Sequence, residues 1–328
     1  MSKKKKAFAI RTDLALEACE MLKANEDTEI DGIVSSVKEN KDTSITCVDI
    51  INEQGSKAVG KPIGKYITIE DQGLRTNNIE TKERITEETT KALKLLLKNF
   101  TAENVLIAGL GNRFITPDAL GPKVVSGILV TRHIKDTLPE EMKNKVNSVS
   151  AIAPGVMGIT GIETAEVLAG IAKKAKPDLI IAVDALAARK FSRVNAVIQM
   201  TDSGISPGAG VGNKRAKINK KNMGVPVIAI GVPTVVDAAT LVNDTMDRIL
   251  DEMKAASENK AFYEMLDSIQ TDDRYTLIND LLTPYAENMF VTPKEVDSVI
   301  DRLADIISSA INAALQPGLK KEDINMYI

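Results

Sequence analysis

The sequence predicts an α/β protein of three layers, a mostly parallel sheet with helices on both faces, plus a small β-rich region and a helical insertion. Three observations predict it. From residue 104 onward, short apolar runs alternate with longer segments whose apolar residues recur every three or four positions. Runs such as Leu179-Ile180-Ile181-Ala182-Val183 are apolar without alternation, as suits a strand covered on both faces. And 328 residues, 44% hydrophobic and 27% charged, are enough to bury a sizeable core.

In order along the chain, a charged tail precedes a short helix around Leu14–Met21. Ile33-Val34, Thr46–Ile51 and Tyr66–Ile69 are β-type runs, separated by Glu39-Asn40-Lys41-Asp42 and by Gly55 and Gly60. Ile85, Ala92, Leu93, Leu96 and Leu97 make Thr81–Phe100 a helix. Strands are then expected at Val105–Ala108, Val149–Ala153, Pro177–Val183, Val194–Met200 and Val225–Ile230, and helices at Pro122–Ile134, Gly161–Lys174 and Val235–Met253. Residues 255–291 read as an irregular helical insertion. Lys294–Leu315 is a final helix, stopped by Pro317-Gly318. The organisation is a tail at 1–13, a helix and β-rich region at 14–80, an α/β core at 81–254, the insertion at 255–291, and a C-terminal segment, 292–328, whose helix packs on the core.

Composition excludes several chemistries. One histidine cannot supply a two-histidine metalloprotease helix, and two cysteines cannot build a four-cysteine zinc site or a disulfide scaffold. At 3% aromatics, a base-stacking platform for single-stranded nucleic acid is excluded. No run approaches the ~20 apolar residues of a membrane span, and Ala7–Ile10 is too short for a secretion signal, so a soluble, intracellular protein is expected. Net charge is −3. Lys3, Lys4, Lys5, Lys6 and Arg11 against Asp13 give residues 1–13 a charge of +4, which leaves −7 on the rest.

Ligands of open α/β sheets bind beyond the carboxyl ends of the strands. Gly109, Gly111 and Asn112 follow the first core strand, and Asp118 precedes the next helix, where it also reads as a plain N-cap. A dinucleotide fingerprint would need glycine at Phe114. Asp184 ends the 179–183 strand beside alanines, a desolvated place for a carboxylate. Together Asp118 and Asp184 could share a proton across the sheet edge. A third segment, Thr201–Arg215, holds Gly208, Gly210, Gly212, Lys214 and Arg215. It lacks the Gly-Lys-Ser/Thr of a phosphate loop, and reads either as a wrap for an extended peptide or as a structural loop. Glu163 reads as a helix cap, and His133 as structural or solvated.

The runs Arg11–Ala18, Gly109–Asn112 with Thr116–Pro122, Asp184–Arg189 and Gly208–Arg215 resemble the germination protease family of endospore-forming bacteria over essentially the whole chain. The resemblance implies a cytoplasmic, spore-core endopeptidase, without a metal or other cofactor. It would begin degradation of small acid-soluble spore proteins at germination. It further implies a homotetramer that contacts neither nucleic acid nor membrane, made as a zymogen that removes its own N-terminal segment, with Asp118 and Asp184 catalytic. The Asp13-Leu14-Ala15 run fits the family's cutting preference and makes 1–13 a propeptide, although Ile10 stands where substrates carry an acid. The glycine loops, with Lys214 or Arg215, would bind substrate. A more distant similarity to hydrogenase maturation endopeptidases keeps a metal-dependent protease open. A non-catalytic nucleotide-binding protein is the other alternative.

Overall fold

Residues 105–109 have nothing polar to offer water, and the structure encloses them completely. In this computed structural model, residues 12–25, 31–143, 146–209, 215–256 and 289–319 are described. Most of the expected propeptide, most of the 255–291 insertion, and Gly210, Gly212 and Lys214 lie outside them.

The described strands are β1 (Ile33–Asn40), β2 (Thr43–Ile50), β3 (Gly64–Glu70), β4 (Asn104–Gly109), β5 (Ser148–Ile152), β6 (Leu179–Ala188), β7 (Val197–Thr201), β8 (Val227–Asp237) and β9 (Phe290–Val291). They form one sheet in the order β1-β2-β3-β7-β8-β6-β4-β5, with β9 added against β8. β8, β6, β4 and β5 run parallel to one another, and the other described pairings are antiparallel. The sheet is therefore mixed, and the β-rich segment joins it through the β3–β7 pairing.

The described helices are α1 (Ala15–Asn25), α2 (Glu53–Val59), α3 (Ile79–Leu97), α4 (Leu120–Ser126), α5 (Glu140–Lys143), α6 (Met157–Thr160), α7 (Thr164–Ala175), α8 (Lys220–Met223), α9 (Ala238–Ala256) and α10 (Val296–Leu315). Side chains alternate across each strand. Val105, Ile107, Leu179 and Ile181 meet α3, α4 and α10 on one face, whereas Leu106, Ala108, Ile180 and Ala182 meet Ala165, Leu168 and Ala172 of α7 on the other. The helices thus lie on both faces, as expected. α1 covers Val48, Ile50 and Tyr66 of the antiparallel strands.

Several boundaries depart from the sequence reading, four of them with a visible cause or consequence. The helix expected over 122–134 ends at Ser126. There α10 supplies a better partner: Asn312 accepts from Leu129 N–H (3.0 Å) and donates to Gly127 O (2.9 Å). β8 continues to Asp237, so α9 starts at Ala238 rather than Val235. Asn195 takes a left-handed backbone (φ 59°), which delays β7 to Val197. β6 runs past Val183 to Ala188, placing Asp184 inside a strand rather than at its end.

Candidate active site

A crevice opens where β4 stops. Gly109 is its last residue paired with β6, opposite Val183. From Asp184 onward β6 is paired only with β8. The missing neighbour leaves a cavity of about 390 Å³ lined by Asp13, Gly111, Asp118, Asp184, Gly208 and Arg215, among others. Asp184 acts as a strand-end residue even though its own strand continues.

Asp184 is 5% exposed, and its carboxylate accepts from Ala185 N–H at 3.0 Å. Burial first, then the negative charges of Asp118 and Asp13, push its pKa well above the usual carboxylate range. The Ala185 bond and Arg215 oppose the shift. Asp118 is half-buried in the 3₁₀ turn Thr116–Asp118. It does not cap α4: Ala119 holds that position, with no side-chain cap bond. The carboxylate turns back to accept from Asn112 N–H at 2.8 Å. Burial raises its pKa, against the Asn112 bond and Arg215.

Gly111 makes that turn possible. Its φ is +104°, and a β-carbon there would lie 2.1 Å from the Asp118 carbonyl oxygen. Gly109 is not among the residues that line the cavity. A β-carbon there would lie 2.1 Å from Gly121 O, so it seats α4 on the sheet. Asn112 serves through its backbone, holding Asp118. Gly208 and Arg215 reach the cavity. Glu163 occupies the N-cap position of α7 without a side-chain cap bond. His133 is exposed and lines a separate hollow with Arg132 and Ser148.

The N-terminal segment is docked onto the same place. Asp13 N–H donates to Ala187 O (3.1 Å), and Ala187 N–H donates to Asp13 Oδ2 (3.0 Å). Leu14 is fully buried against Leu186 and Val197. Two residues the sequence reading missed hold this segment. Lys61 Nζ donates to Thr12 O and Asp13 O, both at 3.0 Å. Gln199 Nε2 donates to Asp13 O at 3.3 Å, and its Oε1 accepts from Ala15 N–H at 2.7 Å. Gln199 had a legible signal, a lone amide inside the apolar run 197–200. Lys61 had none, since one lysine in a turn looks like any other. Beyond them, buried Glu17 accepts from Arg189 N–H (2.7 Å) and Lys190 N–H (2.9 Å), which roots α1 at the end of β6.

Residues 11–258 and 251–328 match the family profile described as germination protease. The chain belongs to the germination protease family. Family members from Clostridium tetani (strain Massachusetts / E88) and Bacillus subtilis (strain 168) are 49% and 40% identical to it. Each alignment covers 98% of this chain, with 100% and 97% of the relatives' own lengths. By that membership it is a peptidase, and so a hydrolase. Among solved structures, the [NiFe] hydrogenase maturation protease HycI from Thermococcus kodakarensis KOD1 aligns over 67% of this chain and 98% of its own. It does so at 16% identity and a TM-score of 0.33. No described helix is long and apolar enough to cross a membrane.

Proposed function

We propose that this germination protease hydrolyses peptide bonds with a water held between Asp118 and Asp184. The observation that carries the reading is that two aspartates from separate elements line one cavity, with burial raising the pKa of both. Burial and mutual repulsion favour one protonated and one ionised carboxylate in such a pair. The ionised carboxylate takes a proton from water as its oxygen bonds to the carbonyl carbon. The protonated one gives its proton to the leaving nitrogen as the C–N bond breaks. The reaction written this way calls on no cofactor.

The substrates are small acid-soluble spore proteins, cut at germination in the spore core by a homotetramer. The chain is made as a zymogen, and its first cut falls at Asp13–Leu14. Support for that bond comes from Asp13, which lines the cavity, and from the +4 charge carried ahead of it. Arg215, in the same cavity, is placed to meet an acidic substrate side chain.

The test combines activity with terminal sequencing. D118N and D184N should each stop both self-cutting and cleavage of an acid-soluble spore protein, and the active wild type should begin at Leu14. An active chain that still begins at Met1 would remove the zymogen reading, and near-normal turnover in either variant would remove the dyad.

A further inference from the structure

We propose that Lys61, with Gln199 beside it, is a catalytic residue that holds the carbonyl oxygen of the Asp13–Leu14 bond while that oxygen takes up negative charge. The inference rests on this bond being the one that is cut. It adds a part beyond the proton transfers given to Asp118 and Asp184, since the protonated carboxyl is committed to the leaving nitrogen and the ionised one repels an oxyanion.

The geometry assigns the role. Asp13 O, the oxygen that must become negative when water adds to its carbon, accepts from Lys61 Nζ at 3.0 Å and from Gln199 Nε2 at 3.3 Å. Backbone N–H groups are the usual donors for this task. The Asn112 N–H beside the dyad is not free for it, because it is already bonded to Asp118. Gln199 also spans the bond. One end of its amide holds Asp13 O, and the other accepts from Ala15 N–H at 2.7 Å.

The remaining atoms of the segment are fixed independently. Asp13 Oδ2 is held by Ala187 N–H, Leu14 is enclosed by Leu186 and Val197, and Leu14 N–H donates to Thr12 Oγ1 at 3.0 Å. The reacting peptide is thus clamped on both sides, with its carbonyl oxygen aimed at a cation. Burial lowers the Lys61 pKa, against the opposing pull of Asp13 and Glu17. A poorly solvated ammonium that meets only peptide carbonyl oxygens in the ground state gains most when one of them becomes an anion. That is the differential binding that raises rate.

In the step itself, water oxygen bonds to the Asp13 carbonyl carbon and the carbonyl electron pair moves onto Asp13 O beside the ammonium. The carbonyl reforms as the bond to Leu14 N breaks, and the dyad returns a proton to that nitrogen. Lys61 keeps its own protons throughout.

The experiment follows appearance of the Leu14 N-terminus in full-length wild type, K61M and K61R, with thermal unfolding as the check on folding. K61M should cut about 10²–10³-fold more slowly, the usual loss for one oxyanion donor. K61R, which keeps the charge, should recover most of that loss. A folded K61M that cuts as fast as wild type overturns the assignment, as does a K61R that is folded yet no better than K61M. If wild type is cut at some other bond, the proposed zymogen site fails, and this inference fails with it.

Discussion

The two halves of the sheet solve different problems with the same nine described strands. In the parallel half, β4 is buried at every position after Asn104 and β6 at every position except Ala185. At the antiparallel end, β1 is exposed from Val34 through Asn40. One half is a double-sided core, and the other ends in an edge strand, β1, that water reaches from both sides. Chemistry sits at neither extreme. It lies where the core loses one strand, so that Asp184 keeps its low-dielectric surroundings and still faces a cavity. A carboxylate moved to β1 would be solvated and ordinary. One buried at Ile181 would have no substrate to reach.

Perturbations should break along that division. The largest effect belongs to the crevice: D184N or D118N should lower turnover by about 10³-fold or more, measured on a peptide substrate, with the fold retained. G111A comes next. Its β-carbon meets the Asp118 carbonyl, and displacing that turn should lower kcat by about 10²-fold, since small misplacements are that costly. In the core, I181A should destabilise the protein by about 2–5 kcal/mol in denaturant titration, whereas V37A in β1 should shift it by no more than about 0.5 kcal/mol.

A pH series sharpens the same contrast. The folded pKa of Asp184 is raised well above that of an ordinary solvated Asp, so the folded state holds the proton that the unfolded chain releases first. Stability from this residue is complete below that ordinary value and is lost as pH rises towards the folded one. D184N lacks the loss. Its unfolding midpoint should therefore gain on wild type across that window. An unchanged gap from acid to neutral pH would contradict the burial argument.

What was legible in the sequence follows this division too. Val105–Ala108 and Leu179–Val183 could be read because a strand enclosed on both faces has to be apolar throughout. Most of β1 could not, because Ser35, Ser36, Lys38 and Glu39 face water and carry no periodic signal. Helix ends were misplaced where a distant partner decides them, as Asn312 does at Gly127. Asp118 and Asp184 could be picked out because sheet topology tells where strands end, and both line the cavity, although Ala119 rather than Asp118 takes the N-cap. Lys61 was missed because its role depends on pairing between segments 48 residues apart.

The fully buried Leu14 has a consequence for the lifetime of the enzyme. Cutting a chain normally leaves a loose end, which aminopeptidases can grip and trim. A cut before Leu14 would instead leave an end whose first side chain is already packed against Leu186 and Val197. The next turn of chain is pinned through Glu17 to the backbone of Arg189 and Lys190. Such a terminus is sealed at the moment it is made. A peptidase released among its own degradation products would then be a poor meal for the exopeptidases that clear them.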